Sequence, residues 1–61
     1  MDKDTIRKIC NIQLETLVGF ENVYEWWTIP NAFFKGRTPI DVFDEDPWNV
    51  LGYLISVTEG Y

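Results

Sequence analysis

Apolar side chains recur over the first eighteen residues at the spacing of a helix. Ile6, Ile9, Cys10, Leu14 and Leu17 fall near i, i+3, i+4, i+8 and i+11. This predicts an amphipathic helix from Asp2 to Val18, with Lys3, Arg7, Asn11 and Glu15 on its wet face. Asp4 is the candidate N-cap, and Gly19 is placed to end the helix in left-handed geometry. A second, short helix is predicted from Glu21 to Trp27. Asn22 and Glu25 have the spacing of a capping box, and Val23, Trp26 and Trp27 form the apolar side. Adjacent helical residues point about 100° apart, so the two tryptophans are not expected to share one environment. At least one is expected in the core, where Trp26 is placed, and one can remain at the rim.

The segment from Trp26 to Pro39 then changes direction repeatedly. Pro30, Gly36 and Pro39 punctuate it. Asn31 is the candidate cap of a single turn, Ala32 to Phe34, which Lys35-Gly36 breaks. Thr38-Pro39-Ile40-Asp41 reads as a helix start, with Thr38 as N-cap and Pro39 at N1. That helix is expected to last to about Phe43, where Asp44-Glu45-Asp46 ends it. Asp46-Pro47 repeats the cap-and-proline signal and opens a last helix running to about Glu59. There Val50, Leu51, Leu54 and Val57 form one stripe, Trp48 and Ile55 widen it, and Gly60 is the residue past the end.

No stretch shows the alternation of a strand. The expectation is all-α: a compact bundle of about four to five short helices with turns at Gly19, Pro30, Gly36-Pro39 and Asp44-Pro47, forming a single domain over 1–61. Leu14, Leu17, Trp26, Phe34, Ile40, Val50 and Leu54 are its expected core. A chain of 61 residues buries only about 60% of the surface its unfolded form exposes, so additional stabilisation is expected. Cys10 is the single cysteine and histidine is absent, which excludes an internal disulfide and removes the commonest metal ligand. Aromatic residues make up 16% of the chain and hydrophobic residues 46%. Such a composition suits a dense aromatic core, association with another protein, or both. Homodimerisation is one form that association can take.

Charge narrows the partner class. The formal net charge is −5, from ten acids and five bases. Lys3, Arg7 and Lys8 are at the start; beyond them Lys35 and Arg37 stand against eight acids. Direct nucleic-acid binding requires a basic footprint that this sequence lacks. An acidic surface suits a basic partner protein, or a protein site that normally holds nucleic acid. No apolar run reaches the length of a membrane span, and Met1-Asp2-Lys3-Asp4 lacks a signal-peptide core. Cytoplasm, in a bacterium or a phage-infected host, is the expected location.

Catalytic chemistry finds little to build on. Without histidine, no base stands ready to activate Ser56, the threonines or Cys10. Cys10 lies on the apolar side of the first helix and reads as a small buried hydrophobe. Asp41, Asp44, Glu45 and Asp46 cluster within six residues. They read as helix caps and a solvated turn, as an acidic patch for a partner, or as both. They lack the spacing and glycine of a calcium loop. The expectation is a protein that is not an enzyme and carries no cofactor or metal.

From Leu17 onward the ordered residues resemble the toxin-binding domain of Xre/MbcA/ParS-type antitoxins. The resemblance rests on Trp26-Trp27, Pro30-Asn31, Phe34, Gly36, Thr38-Pro39, Ile40-Asp41 and the final helix with Val50, Leu54, Val57 and Gly60. It implies a small helical domain that neutralises a toxin by binding it, often a toxin of the NAD-consuming RES type. The C-terminal end of the antitoxin then sits near the toxin's active-site entrance, which here implies Gly60 and Tyr61. Trp27 stands where the family has leucine, and Asp44 to Trp48 replaces a small turn. The sixteen residues before Leu17 do not accommodate the family's helix-turn-helix.

On this reading Trp48, Tyr53 and Tyr61 are the candidate anchors, with Gly60 beside them. The alternative is a phage-encoded anti-defence inhibitor of the anti-CRISPR type, in which Asp41, Asp44, Glu45 and Asp46, with Glu21 and Glu25, mimic nucleic acid. In either case the partner is another protein, a toxin or a defence-complex subunit. A module that only dimerises is the third expectation.

Overall fold

A computed structural model describes residues 1–59. Four α-helices account for most of them: α1 (Lys3–Val18), α2 (Val23–Thr28), α3 (Pro39–Glu45) and α4 (Pro47–Glu59). Two 3-10 turns, Phe20–Asn22 and Ala32–Phe34, link them. Among the described residues there is no strand, only an isolated bridge between Asn31 and Arg37. The radius of gyration is 10.7 Å, against about 10.5 Å expected for a compact chain of this length. No helix among the described residues is long and apolar enough to cross a membrane.

Helices α1 and α4 form the main seam and run in the same direction. Lys3 Nζ reaches the Asp44 carbonyl just before α4 starts (3.1 Å), and Gln13 meets Thr58 near its end (3.3 Å). Ile6, Cys10 and Leu14 recur every four residues and face Val50, Leu51 and Leu54 in one buried cluster. Each fully buried aliphatic side chain of this kind contributes about 1.5–3 kcal/mol. The segment between the two helices carries the chain back. It adds Trp27, Phe34, Val42 and Phe43 to the same core.

Of the expected core positions, Leu14, Phe34, Val50 and Leu54 are buried. Trp26 and Ile40 are partly buried at the edge of the core. Leu17 is a correction: it is 42% exposed. The stripe Ile6-Cys10-Leu14 continues every fourth residue to Val18, which packs on the core instead. Val57, Ile55 and Trp48 are also exposed, so the apolar stripe of α4 is narrower than expected.

Several boundaries differ for local reasons. The cap of α1 is Asp2, whose Oδ1 accepts from Thr5 N at 2.8 Å, and Asp4 falls in the first turn. Hydrogen bonding to Thr5, first of all to its backbone N–H, holds the Asp2 carboxyl below its ordinary pKa. Gly19 ends α1 at φ 90°, ψ 147°. This positive-φ extended geometry suits glycine but is not the left-handed helical cap. Asn22 makes no capping bond to α2; its Nδ2 donates backwards to Val18 O at 2.8 Å. The residues expected to start α2 therefore form a 3-10 turn that closes α1. Thr38 caps α3 through its bond from Asp41 N (3.3 Å), and Asn31 caps its turn by accepting from Phe33 N (2.8 Å). Helix α3 runs to Glu45, one half-turn beyond Phe43. The extension brings Glu45 to Arg37, 2.6 Å away across the loop.

Candidate functional site

The return segment sorts its aromatic rings between interior and surface. Trp27 is buried, and its indole N–H donates to Asn11 Oδ1 at 2.8 Å. Its ring meets Phe43 edge-on, with centroids 5.3 Å apart. Trp26, turned away by the helical advance, meets Trp27 edge-on and stacks on Tyr53 at 6.4 Å. Tyr53 in turn touches Phe33 at 4.2 Å and Phe34 at 5.4 Å. The tight loop 31–37 decides which phenylalanine faces out. Asn31 O accepts from Phe34 N and Gly36 N, each at 3.0 Å, and Asn31 N donates to Arg37 O at 3.0 Å. Lys35 at φ 60° and Gly36 at φ 86° complete the reversal. Phe34 is thereby buried and Phe33 left 59% exposed.

Trp26, Tyr53 and Phe33 thus form a run of touching rings from the rim of the core to the surface. Contacts of this type are worth about 0.5–1.5 kcal/mol each beyond burial. They hold Phe33 against Tyr53 and Phe34, so the exposed ring is braced before any partner arrives. Beside it, a cleft of about 260 Å³ is lined by Phe33, Phe34, Arg37, Glu45, Asp46 and Asn49, among others.

The expected partner-facing acids are less uniform than their sequence. Asp41, Asp44, Glu45 and Asp46 are all exposed. Glu45 is held by both terminal nitrogens of Arg37, at 2.6 and 3.1 Å. That fork pushes the Glu45 carboxyl below its ordinary pKa and the Arg37 guanidinium above its own. Lys3 lies 3.8 Å from Asp44 Oδ1. Two of the four acids therefore already face a cation of the same chain. Trp48 is 54% exposed, and Tyr53 is half-buried in the ring run. Gly60 and Tyr61 lie outside the described residues.

Arg7 and Asn11 are corrections to the wet face of α1. Both are partly buried, because Trp27 lies across this side of the helix. Asn11 takes the indole hydrogen bond, and the Arg7 guanidinium carbon sits 4.3 Å from the Trp27 ring centroid. Sequence reasoning also passed over Phe20, Tyr24 and Phe33. At 77%, 75% and 59% exposed, they are the most exposed aromatic side chains among the described residues. A helix wheel marks Tyr24 as off the apolar side of α2, but no local periodicity separates Phe33 from Phe34, and the expected burial of Phe34 did not mark Phe33 as an exposed anchor.

Cys10 is fully buried. Desolvation raises its thiol pKa to about 11, against a smaller opposing effect of the Arg7 charge. A thiol held neutral in this way is a packing group rather than a nucleophile. Among the described residues, no group of three or more Cys, Asp and Glu side chains gathers as a metal site. The chain matches no protein-family model, no curated protein and no solved structure.

Proposed function

We propose that this chain is a small non-catalytic inhibitor that binds and neutralises a partner protein. The observation that carries the proposal is the aromatic surface left after the core is closed. The accessible surface is 4133 Å², close to the roughly 4,100 Å² expected for a folded monomer of this mass. The exposed rings are therefore not a sign of loose packing. Phe33, braced by Tyr53, and Trp48 at the start of α4 are side chains of the type that anchors interfaces. Held by ring contacts, Phe33 gives up little freedom on docking.

The resemblance to the toxin-binding domain of Xre/MbcA/ParS-type antitoxins supports a toxin as the partner, with α4 and the residues after it directed to the toxin. The anti-defence alternative relies on carboxylates, and the cations facing Asp44 and Glu45 reduce the charge available for nucleic-acid mimicry. Aromatic docking is the better supported of the two.

The test compares capture from host lysate by the native chain, Phe33→Ala plus Trp48→Ala, and Asp44→Lys plus Asp46→Lys. The captured protein is identified and its activity assayed with added chain. Aromatic docking is expected to lose capture and inhibition in the first variant and keep both in the second, with little change in salt. Loss confined to the charge-reversed variant, falling steeply with salt, supports the alternative. Capture without inhibition, or none by the native chain, refutes the inhibitor.

A further inference from the structure

A second cleft, of about 310 Å³, lies between α1 and α2 and shares no residue with the one beside Phe33. Arg7, Asn11, Phe20, Val23, Tyr24 and Trp27 line it. Its polar complement is one-sided. Asn11 Oδ1 is occupied by the Trp27 indole, which leaves the Asn11 amide N–H groups as donors. The Arg7 guanidinium is stacked on Trp27 and lies 5.8 Å from the Phe43 ring centroid. Its Nε is buried and has no hydrogen-bond partner. Among the described residues, the two ion pairs use Lys3 and Arg37, and neither uses Arg7. Lys8 and Lys35 also stand outside those pairs, but they are exposed and hydrated. Among the described residues, Arg7 is the cation with a nitrogen, Nε, withdrawn from solvent and no carboxylate facing it, in a chain with twice as many acids as bases. A partly desolvated charge of this kind is costly until an opposite charge reaches it.

We infer that this cleft receives a carboxylate side chain, Asp or Glu, carried on an apolar segment of a partner protein. The guanidinium fork matches a carboxylate, and Asn11 adds a neutral donor beside it. Phe20 and Tyr24 form apolar walls for the residue next to the acid. The exposure of those two rings points to a polypeptide rather than a free small molecule. Pockets for small ligands bury about 70–90% of the ligand, and walls standing this far into solvent do not. A protein segment brings its own cover, and excluding water around the ion pair strengthens it. The inference does not depend on inhibition, because it concerns the chemistry of the occupant and is read on the isolated chain.

The test is a titration of the ¹⁵N-labelled chain with acetyl-Leu-Glu-Phe-amide, followed at the Arg7 Nε–H and Trp27 indole N–H signals. Both are expected to shift, with a dissociation constant on the order of 1 mM for a single anchor. The Leu-Gln-Phe peptide is expected to bind at least about tenfold more weakly, since only the charge-assisted fork is lost. Tyr24→Ala, a change at an exposed ring, is expected to weaken the Glu peptide, and Arg7→Gln to abolish its binding. Should Arg7→Gln fail to fold, the Glu-to-Gln comparison on the unchanged chain still decides. Equal binding of the two peptides, or preference for Leu-Lys-Phe, overturns the carboxylate. Equal affinity for 3-phenylpropionate overturns the polypeptide occupant. Absence of shifts at both signals overturns the site.

Discussion

The α1–α4 pair and the return segment between them are built by different rules. The pair is aliphatic and periodic. Its buried side chains follow the helical repeat, Ile6, Cys10 and Leu14 against Val50, Leu51 and Leu54, and one such side chain is interchangeable in kind with the next. The return segment, residues 20–46, has short helices, two 3-10 turns and aromatic rings. There burial is decided ring by ring: Trp27 in and Trp26 at the edge, Phe34 in and Phe33 out. A periodic seam distributes its stabilisation over many methyl groups. The return segment concentrates it in a few side chains, and the neighbours of those side chains become the exposed surface.

That difference is broken most directly at the tryptophans. Trp27→Ala is expected to cost about 3–5 kcal/mol. That is most or all of the stability of a domain this small, and the variant is expected to be unfolded by circular dichroism at 25 °C. Trp26→Ala, losing edge packing and one stacked partner, is expected to remain folded and to lose about 1–2 kcal/mol in urea unfolding. Equal effects from the two substitutions would show that the return segment shares its load as evenly as the seam does.

A finer probe is the bond between the two regions. Asn11→Ala removes the acceptor of the Trp27 indole N–H, and an orphaned buried donor costs about 1–3 kcal/mol. The better helix propensity of alanine returns roughly 0.5 kcal/mol, so a net loss of about 1 kcal/mol is expected in urea. A gain in stability would mean that Trp27 is held by packing alone.

Near neutral pH the smallest effect is the titration of one residue of the seam. Burial raises the Cys10 thiol pKa from its ordinary value of 9.0 to about 11. Between those values the unfolded chain has released the proton and the folded chain retains it. Stability is therefore full below pH 9 and declines as pH rises towards 11. Cys10→Ala is expected to flatten that alkaline limb of the urea midpoint against pH, and an unchanged limb would assign it to other groups. In the native chain at pH 8, thiol alkylation is expected to follow global unfolding.

Four helices, their order and the aliphatic side of the seam were legible because period, capping residues and prolines act locally. Thr38-Pro39 and Asn31 specify their turns wherever the rest of the chain goes. Asn22-Glu25 carries an equally regular signal, yet Asn22 makes no capping bond to α2 and its Nδ2 donates back to the Val18 carbonyl at the end of α1. Leu17 follows the same helical period as Val18 to within one position, and only packing against the assembled core selects Val18.

The candidate surface was legible in kind and not in place. An excess of aromatics over what 61 residues can hide follows from composition and the limited interior of a small domain. Which rings remain outside follows from contacts distant in sequence: Tyr53 against Trp26 and Phe33, and α2 laid across Arg7 and Asn11. The sequence by itself determined the helices and the caps at Thr38 and Asn31, because those interactions span three or four residues. The tertiary structure alone decided which tryptophan is core, which acids are paired and which arginine is left waiting. Those outcomes depend on the relative placement of separate helices, and no local pattern encodes it.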